Sequence, residues 1–307
     1  MSGRWKCLLI PHALLMVLVL VIAQAPKLRP GLSSCVALLT AVGVIEGAFL
    51  LFLCLAWRRG ESGNACVDII LLVWALLLVW ELYASVWDRA HPVLVPAPED
   101  VFDTFREQWP TLLQNVWHSL LLLAVGFSLG MYLAVLLGLV AGWYPRLRGF
   151  ACPIANVMAP IPPVVFSPYL VALMPSFRSA SALVIVLGVF WPTFLGTINR
   201  VAGIEPQLLD SARILRPSNR VMIFHILLPY VFPEVVSGLK VSLTSSLLML
   251  NFAELMGATH GMGYYVQNSI AYANYAHAVA GIIVIGVVVT ILGALVTWCQ
   301  RKLIHWR

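Results

Sequence analysis

Charged side chains are what this sequence has least of. Only 32 Asp, Glu, Lys and Arg residues occur among 307, or 10%, against a hydrophobic share of 61%. A water-soluble domain carries about 25% charged residues. A chain this poor in charge excludes a soluble globular enzyme, and its wealth of apolar residues excludes disorder. Chemistry-bearing patterns are also missing. The cysteines at 7, 35, 54, 66, 152 and 299 form no C-x-x-C and sit in or beside apolar runs, which argues against a disulfide framework. The seven histidines show no metal-ligand spacing, so no metal site is expected. There is no G-x4-G-K-[ST], so the chain has no P-loop of its own for ATP, and no nucleophile elbow. No run alternates at period two, which argues against a transmembrane β-barrel.

What is present is long apolar segments. A helix needs about 20 apolar residues to cross the hydrocarbon. The sequence predicts an all-α polytopic membrane protein of eight spans, near 8–25, 32–57, 68–88, 115–142, 150–173, 180–199, 228–250 and 277–299. With the N-terminus inside, 13 basic residues face the cytoplasm and five (Lys27, Arg29, Arg89, Arg106, Arg178) face out, while Lys240 lies within a span. That bias favours both termini in the cytoplasm. The net charge of +6 therefore marks loops, and nucleic acid is not an expected partner. Arg4 and Lys6 ahead of an apolar core and Ala23-Gln24-Ala25 also fit a signal peptide, but Pro26 is a poor first mature residue and a retained helix is expected. Asp88, Glu99, Asp100, Asp103 and Glu107 give the 88–113 loop an acidic character, and 97–109 reads as an amphipathic helix on the outer interface.

One cytoplasmic connection is long. Between Arg200 and His225, Leu208, Leu209, Ala212 and Leu215 recur at helical spacing. Pro206 suits the first turn, with Glu205 at the positive end and Arg213 and Arg216 at the negative end. Pro217 stops the helix, and Ser218 or Asn219 can cap a second one leading into Ile226-Leu227-Leu228-Pro229. By its physics alone this is either a solvated connector or a docking element.

The seventh span carries Ser237, Lys240, Thr244, Asn251 and Glu254 within roughly a 100° arc of the helical wheel. An intramembrane polar stripe faces protein or water. Thr244, Asn251 and Glu254 are candidates for a path; Glu254 bracing an outer loop and Lys240 snorkelling to the cytoplasm are the structural readings. Pro160, Pro162 and Pro163 must break the fifth span, as a gate or as a packing kink. Glu46 and Glu81 read as neutral carboxyls bonded to neighbouring helices. Gly126-x3-Gly130 and Gly138-x3-Gly142 allow close packing, within the chain or across a dimer.

Asp210-Ser211-Ala212, Arg216 and Ile226-x-Leu228-Pro229 resemble, at matching spacing, the E-A-A-x3-G-x9-I-x-L-P loop of binding-protein-dependent ABC transporter permeases. Pro160-Ile161-Pro162-Pro163 with Ser167-Pro168, Ala253-Glu254-Leu255-Met256-Gly257, and Gly261-Met262-Gly263-Tyr264 are similar to motifs of the nitrate/sulfonate/taurine branch, as are Trp80-Glu81 and Val95-Pro96-Ala97-Pro98. The resemblance covers about 68–307 and implies a type I importer core of six helices, with residues 1–67 an added two-helix extension. It implies a non-enzymatic permease of the bacterial inner membrane. Its partners would be cytoplasmic ATPase subunits, which hold the ATP and Mg, an extracytoplasmic solute-binding protein and a second permease copy. The loop at about 200–229 would couple to the ATPase, and the span after it would help line the path. Small anions such as nitrate, sulfonates or taurine are the implied cargo, with heterocyclic vitamins or precursors an alternative. Arg216 stands where the family has glycine, so Pro217 is expected to supply the break. A proton-coupled transporter using Glu46, Glu81 or Glu254 is the reading from another class.

Overall fold

The computed structural model describes residues 2–303 apart from 30, 31, 33, 59, 61, 62, 92 and 215, and side chains from residue 9 apart from those of Arg213 and Leu303. The regular structure of the described residues is all helix, with no strand among them. Packing divides the chain into two units, 1–112 with 266–283, and 113–265 with 284–307.

The first unit contains α1 (Ser2–Gln24), α2 (Cys35–Arg58), α3 (Asn64–Glu81) and the start of α4 (Pro98–Trp143). Leu18 and Ile22 of α1, Leu38, Val42, Phe49 and Leu53 of α2, and Ile70 and Trp74 of α3 form its core. The extension expected over 1–67 therefore shares a core with the helix that follows it, and the packing boundary does not fall at residue 67. Past α3 a wider π-turn runs over Leu82–Val86.

The second unit holds the rest of α4, α5 (Pro145–Met158), α6 (Ser167–Leu173), α7 (Phe177–Ala202), α8 (Pro206–Ile214), the short α9 (Asn219–Val221), α10 (Leu228–Leu255), the start of α11 (Met262–Ala271) and the end of α12 (Tyr275–Leu303). Four α4 glycines settle the question their spacing raised. A Cβ on Gly126 would lie 2.9 Å from Ile185 Cβ, on Gly130 3.0 Å from the Val186 carbonyl, on Gly138 2.7 Å from Thr197 Cβ and on Gly142 2.7 Å from Val201 Cβ. The close approach is to α7 of the same chain.

Two expectations change. Among the described residues, six helices are long and apolar enough to cross a membrane, or seven if the pair 145–158 and 163–173 is one span, with Leu9–Gln24 a further apolar stretch within the 23 residues of α1. That pair is bent by 82°, because Pro160, Pro162 and Pro163 remove N–H donors and the backbone at Pro162, ahead of the Pro163 ring, is extended. The separate amphipathic helix and fourth span are instead one 46-residue helix, α4, which continues through Pro110. At a rise of ~1.5 Å per residue it is about 69 Å long, roughly twice the hydrocarbon thickness.

Candidate functional site: the coupling loop and the α10 polar stripe

The loop after α7 begins at Gly203, and Pro206 is the first residue of α8, as its missing N–H suits. Leu209 and Ala212 turn inward onto a cluster of Leu139, Val201, Ile204, Met222, Ile223, Leu227 and Val231, which ties α8 to the adjoining ends of α4, α7 and α10. Glu205, Asp210 and Ser211 are exposed, and Ser211 Oγ donates to the Gln207 carbonyl at 2.8 Å. Leu208 and Ile214 keep 45% and 81% of their surface, leaving two partly uncovered aliphatic side chains on α8. The Arg213 side chain lies outside the described residues.

The break after α8 differs from the sequence expectation. Arg216 itself takes the left-handed conformation, with φ 46°, so the residue in the glycine's place keeps the glycine's turn; Pro217 does not replace it. Ser218 then caps α9, its hydroxyl accepting from Val221 N–H at 3.4 Å. Residues 222–227 form a π-turn just ahead of Pro229. The Pro229 ring cannot pair with the His225 carbonyl, and a locally wider turn absorbs that mismatch. Leu227 is fully buried, while Ile226 and Leu228 are half-buried and Pro229 is exposed.

The polar stripe of α10 divides in two. Its first half opens on a cleft of about 530 Å³ in which Lys240 and Thr244 face Thr290, Gly293, Thr297 and Arg301 of α12. The Lys240 stem lies beside Gly293, with Cε 3.6 Å from where a Cβ there would stand, an ordinary contact distance. Gln300 Nε2 donates to the Val236 and Ser237 carbonyls at 2.6 and 3.1 Å, closing that end. The second half is enclosed. Both side-chain polar atoms of Asn251 are buried with no hydrogen-bond partner among the described residues. Pro163 lies at the break between α5 and α6, 3.6 Å from the position of a Gly188 Cβ, with Met249 of α10 also beside it at 3.9 Å.

Glu254 is 2% exposed and fully engaged. Its Oε1 accepts from Ser119 Oγ at 2.6 Å and its Oε2 from the Gly263 N–H at 2.8 Å. Ser119 Oγ accepts in turn from the Met262 N–H at 2.8 Å, and Asn115 Oδ1 from the Gly261 N–H at 2.8 Å. Three successive amides at the start of α11, donors that a helix leaves unpaired, are thus held by α4 and α10. The carboxylate also sits at the positive end of α11. Gly261 has φ 127°, and a Cβ there would overlap the Glu254 carboxyl. The two glycine-containing motifs are therefore one hydrogen-bonded unit. Asn115 and Ser119 are missing from the sequence reading. Their i, i+4 spacing puts them on one face of α4, but nothing local pairs them with residues more than 130 positions away.

A buried ionic group was also missed. Glu99, expected on an acidic outer rim, is 0% exposed and is bonded to Lys27 and, at 2.8 Å, to Ser85 Oγ. Glu81 is 0% exposed with its Oε1 3.1 Å from Lys27 Nζ. Glu81 is bonded as expected, with Lys27 of the connection between α1 and α2 as its partner. Glu46 lies 3.3 Å from His12 of α1. No group of three or more metal-ligating side chains occurs among the described residues.

The family model described as a binding-protein-dependent transport system inner membrane component matches residues 130–305. The chain belongs to this family. This permease is 28% identical over 81% of its length to a Bacillus subtilis protein named for aliphatic sulfonates transport, SsuC, of which 91% is covered. It is 27% identical over 82% of its length to the Escherichia coli taurine transport system permease protein TauC, of which 94% is covered. The Synechococcus elongatus bicarbonate transport system permease protein CmpB is 24% identical, over 75% of this chain and 86% of that one. Among solved structures, the MetNI methionine ABC transporter in an inward-facing conformation matches with a TM-score of 0.55 and 16% identity, over 64% of this chain and 96% of that one. At that identity the likeness is one of fold, and the fold is that of an ABC importer permease.

Proposed function

We propose that this permease imports a small anion, delivered by an extracytoplasmic binding protein and driven by cytoplasmic ATPase subunits. The observation that carries the coupling part is α8. A nine-residue helix in an aqueous loop, pinned by Leu209 and Ala212, presents Leu208 and Ile214 outward. Exposed aliphatics on a held element suit a partner's cleft. Glu205, Asp210, Ser211, Ala212, Arg213, Arg216 and Pro217 form the docking segment, and Ile226, Leu228 and Pro229 join it to α10. Because α8 shares a core with the ends of α4, α7 and α10, displacing it moves those helices together. In this reading both termini are cytoplasmic, a second permease copy completes the path, and Thr244, Asn251, Pro160, Pro162 and Pro163 border it. Glu254 serves that path by fixing the start of α11. The anionic cargo is supported by relatives named for sulfonates, taurine and bicarbonate.

Scrambling residues 210–217 tests the proposal. Substrate-stimulated ATPase activity of the assembled transporter should vanish while membrane insertion persists. Wild-type uptake with the scrambled loop would defeat it, and uptake that needs no ATPase but collapses with an uncoupler would favour a proton-coupled carrier.

A further inference from the structure

We propose that a cleft formed by His118, Arg178 and His260 is a binding site for a small, singly charged oxyanion of the sulfonate or carboxylate class. The inference rests on the import reading above and adds to it a location, at the end of α7 opposite the 205–229 loop.

Three elements of the second unit converge there. α4 supplies His118, the start of α7 supplies Ser176, Phe177 and Arg178, and the turn between α10 and α11 supplies Thr259 and His260, around about 230 Å³. The two imidazoles stack with centroids 4.9 Å apart and planes 19° from parallel. Arg178 Nη2 lies 3.1 Å from His118 Nδ1. At that distance the guanidinium, which carries only donors, uses His118 Nδ1 as an acceptor, and the arginine keeps its full charge beside the stacked rings. The arginine fork matches the paired oxygens of a sulfonate or carboxylate.

The site is also preorganised. His118 precedes Ser119 and His260 precedes Gly261, two residues fixed by the Glu254 network. That network holds the two rings in register across 142 positions of sequence. Glu254 is the acid lining the cleft, and both its oxygens are engaged by Ser119 and Gly263. One guanidinium over one engaged carboxylate makes a cleft rich in donors without a large excess of charge. That balance suits a monoanion that must be released again, because conduction requires binding weak enough to leave.

The test uses the full chain purified in detergent, with sodium ethanesulfonate as the probe and sodium chloride at equal ionic strength as control. Diethylpyrocarbonate modification of His118 and His260 is followed by peptide mass spectrometry, with exposed His91 as internal reference. Ethanesulfonate should slow modification of the pair and leave His91 unchanged. In R178Q, half-protection should need about tenfold more ethanesulfonate, the scale of one lost charge-assisted contact. H260Q should weaken protection of His118 in the same direction, and its residue is exposed enough that folding is not at stake. Equal protection by chloride, or undiminished protection in both variants, overturns the proposal. So does protection that appears in phosphatidylglycerol nanodiscs, is missing in phosphatidylcholine nanodiscs and does not respond to ethanesulfonate, which would assign the cleft to a lipid headgroup. Binding is read without ATPase or binding protein. A protected pair in a system that imports no anion would leave the site and remove the import reading; an unprotected pair in one that does import would remove only the site.

Discussion

Arg216 holds a φ of 46°, a conformation that an L side chain adopts at a cost of about 1 kcal/mol or more and glycine adopts freely. The turn is kept because it sets the angle between α8 and the chain leading into α10. R216G should therefore remove the strain, partly offset by the greater freedom of glycine when unfolded, for a net stabilisation of up to about 1 kcal/mol. Thermal unfolding of the purified permease would show a midpoint at or above that of the parent, with coupling retained. A clear drop would mean that the guanidinium makes a contact worth more than the strain. R216P should fall well below both, because proline cannot adopt positive φ. At this scale the sequence showed that an arginine occupied a glycine's place. It did not show that the backbone would stay left-handed there, because Pro217 offered a competing way to end the helix. Glu254 was equally legible as an important acid, while its partners Asn115 and Ser119 were not, since hydrogen bonds across 135 or more positions leave no local pattern.

At the scale of the element, the four α4 glycines act as one groove. A leucine at Gly138 would have to displace Thr197 of α7, whose Cβ would lie 2.7 Å from the new Cβ. Overpacking of this kind typically costs about 1–3 kcal/mol. G138L should therefore lower the unfolding midpoint and reduce uptake, because α7 leads directly into the coupling loop. G149L is the control: no atom lies within 4 Å of a Cβ there, and its effect on the midpoint should be near zero. Equal losses in both variants would refute close α4–α7 packing as the cause. The spacing of these glycines announced close approach without naming α7, since an i, i+4 pair fits any helix. The three prolines announced a break, and the 82° bend is its geometric outcome. The continuity of α4 through Pro110 ran against the expected boundary because a single proline removes one hydrogen bond without ending a helix that tertiary contacts hold.

For the whole molecule, the question is how the two added N-terminal helices are attached. Apolar packing against α3 accounts for part of it, and Lys27 for the rest. From the connection between α1 and α2, Lys27 reaches Glu81 at 3.1 Å and also bonds Glu99. Arg29 of the same connection donates to the Val95 carbonyl at 3.0 Å. Burial by itself would lower the Lys27 pKa, but the hydrogen bond to Glu99 and the charge of Glu81 outweigh it, and the net shift is upward. A raised lysine pKa gives stability that is complete below the ordinary lysine range and is lost only as pH rises through and above it. The part of that stability that rests on the pair with Glu99 should therefore be constant across roughly pH 6 to 9. K27M would leave two buried carboxylates with no cation, a change that costs about 3–5 kcal/mol where a buried pair is broken on one side. The purified K27M permease should unfold at a markedly lower midpoint, with the hairpin opened to protease between α1 and α2. Adding E81Q and E99Q removes the uncompensated charge and should restore most of the loss. If K27M unfolds like the parent, apolar packing alone holds the extension, and the ionic group is incidental to its attachment. If the triple variant stays as low as K27M, the lysine acts through the hydrogen bonds it makes rather than by neutralising the two carboxylates.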